Sequence, residues 1–220
     1  MHPFPRWFVA AAAAAAMAFA ASVAMASPLT YGVLINTSAL VAQGTFTLDL
    51  QLTDGSGGGD GNNSLSLNSF SFGGGSAAAT VLTGGATGSL AAGFTLADSV
   101  FFSGIQQDFT AGSTLSFNVI LNSNLPDAGV TPDLFTVAIL DSSFSELPTN
   151  GVANEFISIT LDGKPTIAAF GSKHGAPYVI DAPSVTPLSG SVPEPSALWL
   201  AGGALFALYT SRTSARRAAA

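Results

Sequence analysis

The stretch Thr45-Phe-Thr-Leu-Asp-Leu-Gln-Leu-Thr53 alternates without a slip. Phe46, Leu48, Leu50 and Leu52 fall on one side, and Thr47, Asp49 and Gln51 on the other. Successive side chains of a strand point to opposite faces, so this period of two predicts a β-strand with one apolar face. Residues 114–121 repeat it through Leu115, Phe117, Val119 and Leu121, and residues 156–162 through Ile157, Ile159 and Leu161. Residues 134–140 are apolar on both faces except at Thr136, as an inner strand of a two-sheet packing would be. Residues 64–72 alternate through Leu65 and Leu67 and then shift phase to Phe70 and Phe72, which predicts a β-bulge at Asn68-Ser69.

Weaker strands are expected at residues 30–35, 80–83, 94–96, 99–102, 166–170 and 178–180. Turn signals separate them, among them Asp54-Gly55, Gly73-Gly74-Gly75, Gly84-Gly85, Asn150-Gly151 and Asp162-Gly163. No apolar run at three-to-four spacing interrupts this region, and no repeat of fixed length stands out. About ten short strands at close spacing predict an all-β domain, an antiparallel β-sandwich of jelly-roll-like type.

Charge and cysteine narrow the chemistry. Only 9% of the 220 residues are charged, and the chain carries a net charge of −7. Between residues 27 and 191 there are twelve acidic residues against Lys164 and Lys173, a net charge of −10. A nucleic-acid binder needs clustered Lys and Arg to displace counterions from phosphates, so no nucleic-acid partner is expected. The absence of cysteine removes disulfide scaffolds, thiol catalysis and cysteine-built zinc sites together.

Both ends of the chain have the character of addresses. Residues 1–26 show the three parts of a signal peptide: Arg6 near the start, an uncharged run over residues 7–21, and the small-x-small pattern Ala24-Met25-Ala26. Signal peptidase is expected to cut after Ala26 and leave Ser27 at the new terminus. The alternative, a permanent anchor, meets the difficulty that the run is shorter than the ~20 apolar residues of a usual span. At the other end, residues 185–191 are expected to form a Pro/Ser linker. Val192-Pro193-Glu194-Pro195 then precedes an apolar helix over residues 197–209, followed by Arg212, Arg216 and Arg217. That helix would be about 20 Å long, short for a hydrocarbon core of about 30 Å. Its arginines would stay on the cytoplasmic side. The flanking sandwich, residues 27–184, would then face outward as an ectodomain.

Residues 192–217 resemble the PEP-CTERM sorting signal of Gram-negative bacteria, with its Pro-Glu-Pro triplet, short apolar helix and terminal arginine cluster. The resemblance implies processing by exosortase, a membrane-embedded cysteine transpeptidase. Pro193, Glu194 and Pro195 would be the recognition triplet, residues 197–209 a transient inner-membrane anchor, and Arg216-Arg217 the stop. It further implies passage across the inner membrane to the cell surface or medium, and an association with exopolysaccharide or biofilm. The alternative is a plain C-terminal anchor whose triplet arose by chance.

Catalytic chemistry is thin in the middle of the chain, and no enzymatic activity is expected. His174 is the only histidine left after signal removal, and no Gly-x-Ser-x-Gly elbow accompanies it. A glycosidase would need two carboxylates facing each other across a sugar-gripping cleft, and Glu146 with Glu155 is the conceivable pair, with Asp127, Asp133 and Asp141 nearby in sequence. Both tryptophans lie in the end segments, however, and the middle has no arginine. The best site candidate is the loop Asp54-Gly-Ser-Gly-Gly-Gly-Asp60-Gly-Asn62-Asn63-Ser64, where Asp54, Asp60 and Asn62 offer the hard oxygens that calcium prefers. It departs from the EF-hand order, since position 12 is Leu65, and a flexible hairpin tip would use the same residues. No other cofactor is expected.

Two roles compete for the domain. One is a structural or adhesive matrix protein; the other is a carbohydrate-binding module, with a secreted glycoside hydrolase behind both. An aromatic platform would favour the module, and Phe101, Phe102 and Phe109 are its candidates.

Overall fold

In Thr45–Thr53 every apolar residue is buried: Phe46 is 2% exposed, and Leu48, Leu50 and Leu52 are fully enclosed. A computed structural model of the chain describes residues 28–55, 57–123 and 131–188. The expected signal peptide and sorting helix lie outside these residues. Among the described residues, no helix is long and apolar enough to cross a membrane.

Among the described residues, twelve strands form two antiparallel six-stranded sheets. They are β1 (Leu29–Asn36), β2 (Thr45–Thr53), β3 (Ser64–Ser71), β4 (Ser76–Thr83), β5 (Thr87–Ser89), β6 (Gly93–Ala97), β7 (Phe102–Thr110), β8 (Thr114–Ser123), β9 (Asp133–Leu140), β10 (Ile157–Leu161), β11 (Thr166–Ala169) and β12 (Ser184–Pro187). One sheet has the order β12-β1-β8-β3-β6-β5, the other β11-β10-β9-β2-β7-β4. The pairs β1·β8, β2·β7 and β3·β6 nest inside one another along the chain, while β8·β3 and β7·β4 join them sideways. That is the path of a long hairpin rolled into two layers, a jelly roll. It departs from the regular form at β5, which pairs with β6 rather than with β4. β9 to β11 extend one sheet beyond β2, and β12 extends the other beyond β1.

The two inner faces close on one apolar core. Leu50 and Leu52 from one sheet and Leu65, Phe117 and Val119 from the other belong to it. Phe70 stacks on Phe117 at a centroid distance of 5.2 Å and meets Phe94 edge-on at 5.7 Å. Phe70 reaches these partners because of the bulge. The register between β3 and β8 shifts between Asn68 and Ser71, and Ser69 takes a φ of 58°. The extra residue returns Phe70 to the inner side, as the phase change in the sequence requires.

Four expectations are corrected. Residues 99–101 are not a strand; the strand begins at Phe102 and runs to Thr110, between β2 and the edge strand β4. Residues 178–180 form no strand either, although Ile180 is buried and Tyr178 meets Phe46 edge-on at 5.7 Å. These two contribute packing from a loop. The three-residue β5 is an additional strand, held only by β6. Finally, Val185, Thr186 and Pro187, expected in the linker, pair with Val33, Gly32 and Tyr31 of β1.

β7 escaped the alternation rule because its inward positions include Ser103 and Gln107, both fully buried. Each has a backbone task. Ser103 Oγ donates to Ala97 O at 2.6 Å and accepts the Gly85 N–H at 2.9 Å. Gln107 Nε2 donates to Ala78 O at 3.2 Å and Ala79 O at 3.1 Å, where β4 slips register against β7. The polar side chains supply hydrogen bonds that an interrupted ladder leaves open.

Candidate functional site

Strand pairing carries one group of carboxylates to one end of the sandwich. Ser64, at the start of β3, pairs with Ala97 at the end of β6 and with Ser123 at the end of β8. Thr53, at the end of β2, pairs with Phe102 and Leu134 at the starts of β7 and β9. Asp54 follows β2, Asp98 follows β6, and Asp133 opens β9, so all three sit at this end. They are almost wholly enclosed: Asp54 is 1% exposed, and Asp98 and Asp133 are 0% exposed.

The glycine-rich loop between β2 and β3 closes over them. Asp54 Oδ2 accepts the N–H of Gly58 at 3.0 Å and that of Gly59. Asp133 Oδ1 accepts the Gly55 N–H at 2.7 Å, and its Oδ2 accepts from Asn63 Nδ2 at 3.0 Å. Asn63, itself 1% exposed, gives its backbone N–H to Asp98 Oδ2 at 2.9 Å. Two glycines are required by close approach. A Cβ on Gly55 would lie 1.7 Å from Thr131 O, and Gly59, at a φ of +76°, would bring one to 2.6 Å from the Val100 Cα. This loop is docked at those points, which distinguishes it from a hairpin tip projecting into solvent.

Asp98 is the electrostatic anomaly. Burial pushes its carboxyl up to about 7; the Asn63 N–H opposes the rise, and Asp133 and Asp60 add to it. Its Oδ1 is buried with no hydrogen-bond partner among the described residues. Carboxylates accept hydrogen bonds and do not donate them, so neighbouring Asp60 and Asp133 offer Asp98 repulsion unless one of the group holds a proton. The domain's cations, Lys164 and Lys173, are both exposed.

The sequence candidates divide here. Asp54 belongs to the cluster, but its Oδ2 is engaged by the loop backbone. Asp60 is exposed and accepts from Asn62, at 3.1 Å from the backbone N–H and 2.7 Å from Nδ2. The sequence does not single out Asp98 or Asn63 as ligands, and it offers Asp133 only as a carboxylate near the Glu146–Glu155 pair. Each stands at or beside a strand end, a signal that becomes useful once the strand order is known. Among the described residues, no three acidic or histidine side chains already stand as a metal-holding group.

The other candidates are placed as follows. Glu155 is buried and accepts the N–H groups of Val152 at 3.3 Å and Ala153 at 2.7 Å, while exposed Glu146 accepts from Asn154 Nδ2 at 3.2 Å. Both carboxylates therefore serve their own loop. Asp141 likewise accepts the Ser143 and Ser145 N–H groups in a turn, and His174 is exposed. Asp127 lies outside the described residues. Phe109 cannot serve an aromatic platform, because it is 1% exposed and packs on Phe46 and Phe72 at 6.2 and 5.5 Å. Phe101 is 55% exposed, and Phe102 is partly buried.

Comparison with known proteins bears on the C-terminal segment. Residues 191–217 match the family model of the PEP-CTERM protein-sorting motif. The chain carries a PEP-CTERM sorting motif. Val192, Pro193, Glu194, Pro195, Arg212, Arg216 and Arg217 all fall inside the match, outside the described residues. The signal-cleavage residues Ala24, Ala26 and Ser27 lie outside the described residues as well. The motif marks an exported protein with exosortase as its processing partner, anchored in the membrane and then processed toward the cell surface. No curated protein and no solved structure matches the chain.

Proposed function

We propose that this chain is a structural or adhesive component of the cell surface or extracellular matrix, without catalytic activity and associated with exopolysaccharide. The observation that carries this reading is a PEP-CTERM motif that follows in sequence a β-sandwich with an uncharged, mostly polar outer face, interrupted by Leu34 and Ile120. On the sheet containing β3 and β8, Leu65, Leu67, Phe117 and Val119 point inward, so Ser66, Asn68, Ser116 and Asn118 line the opposite side. Asn118 Nδ2 donates to Asn68 Oδ1 at 3.3 Å, and Asn122 Nδ2 donates to Ser66 Oγ at 2.8 Å. Such a face can exchange hydrogen bonds with sugar hydroxyls without the desolvation cost of a charge. Its weak individual bonds suit a protein that acts in many copies on a polymer.

In this reading the signal peptide opens export and is removed after Ala26. The apolar helix over residues 197–209 halts in the inner membrane, and exosortase processes the chain near Pro193-Glu194-Pro195. The test uses the processed protein from an exosortase-bearing host, mixed with that host's insoluble exopolysaccharide. Saturable co-sedimentation supports the proposal. An absence of binding, together with unchanged matrix cohesion in a strain lacking the protein, contradicts it.

A further inference from the structure

We propose that the end of the sandwich formed by Asp60, Asp98 and Asp133 binds one calcium ion, with Asp98 Oδ1 as the anchoring ligand. A buried carboxylate is tolerated when it is paired with a cation, hydrogen-bonded or bound to a metal. Asp98 is fully enclosed, one of its oxygens has no hydrogen-bond partner among the described residues, and Asp133 and Asp60 face it. The three aspartates come from three separate segments that strand pairing brings to one end of the sandwich: the β2–β3 loop, the end of β6 and the start of β9.

The chemistry selects the ion. Every side chain offered is a hard oxygen donor, and the only histidine of the domain is in a distant part of the sequence. Calcium takes six to eight such oxygens in a flexible arrangement and accepts carbonyls and waters beside carboxylates. Magnesium demands a tighter octahedron and releases its waters reluctantly. Because, among the described residues, no three acidic side chains already stand as a metal-holding group, binding requires movement. Asp60 is the member able to move, since it is exposed and sits among Gly57, Gly58, Gly59 and Gly61. Asp98 and Asp133 are fixed by their strands, and Asp60 closes onto them. Calcium thereby fastens the β2–β3 loop to the strand ends.

This inference is independent of the adhesive role proposed above, since an ion at this end would stabilise the domain whatever its outer face binds. The test is a thermal melt and a calorimetric titration of the purified full chain in detergent, with calcium chloride, magnesium chloride or chelator. Extracellular modules bind calcium at about 0.1–1 mM, so the titration spans that range. The expected result is a saturable rise in Tm with calcium, one ion per chain and no comparable response to magnesium. Asp98→Asn and Asp60→Asn should each abolish the calcium response. In chelator, Asp60→Asn should melt with the wild type, and Asp98→Asn at or above it, since the amide removes a buried charge. Absence of a calcium response in the wild type, or a full response in Asp98→Asn, would overturn the proposal.

Discussion

The side-chain amide of Asn63 donates to Asp133 Oδ2 at 3.0 Å, joining the β2–β3 loop to the first residue of β9 across 70 positions of sequence. The same residue's backbone N–H holds Asp98 at 2.9 Å. Asn63 therefore bridges two enclosed carboxylates of like charge. Its neutrality matters as much as its hydrogen bond.

Asn63→Ala should accordingly cost about 1–3 kcal/mol of stability in chelator, since Asp133 loses a buried donor. Asn63→Asp should cost more than Asn63→Ala at pH 8, because it adds a third like charge beside Asp98 and Asp133. Urea denaturation of the three proteins measures both differences. An Asn63→Asp variant as stable as the wild type at pH 8 would contradict this account of the cluster.

Gln107 tests the account of β7. Replacing it by Leu keeps the volume but strips the donors from Ala78 O and Ala79 O, and leaves Thr80 Oγ1 without its 2.5 Å acceptor. The expected loss is about 1–3 kcal/mol. Amide hydrogen exchange should quicken along β4 and stay slow in β9, on the far side of β2. Equal exchange in the two strands of the variant would show that Gln107 does not support β4.

Asp49 gives the fold a pH dependence. It is 5% exposed on the outer side of β2, and burial raises its pKa. Gln51 and Gln106 donate to it and oppose the rise, while Glu146 adds to it; Asp108, the other carboxylate on this face, is engaged by Thr47 at 2.6 Å. A raised folded pKa means that the folded state holds the proton more tightly than the unfolded chain. Below the unfolded value of about 3.9 both states are protonated and there is no penalty. As pH rises through the raised folded pKa, stability is lost. Asp49→Asn should therefore be more stable than the wild type at pH 8, by about 1 kcal/mol, with the gap closing near pH 4. Denaturation curves at the two pH values decide it, and a variant less stable at pH 8 would refute the burial argument.

Much of the fold was legible because alternation survives wherever one face is apolar. β2, β8 and β10 follow from it, β9 follows from a run apolar on both faces, and the phase change between Leu67 and Phe70 marks the bulge. β7 was not legible, because Ser103 and Gln107 occupy inward positions for the sake of the backbone. Residues 178–180 misled in the opposite direction, since Tyr178 and Ile180 pack inward without any ladder. The site was half legible. The β2–β3 loop announced its oxygens and glycines, but Asp98 and Asp133 join it only through the pairing of Ser64 with Ala97 and of Thr53 with Leu134. Those pairings connect residues dozens of positions apart, which a local pattern does not contain.

The most direct test of the whole account is mass spectrometry of the surface-associated protein from an exosortase-bearing host and from the same strain without exosortase. The account predicts a mature chain beginning at Ser27 and ending near Pro193-Glu194-Pro195, with residues 197–220 removed. In the strain without exosortase, the C-terminal segment should remain attached and the protein should stay with the membrane. Surface protein retaining Arg216 and Arg217 in the complete strain would contradict the account.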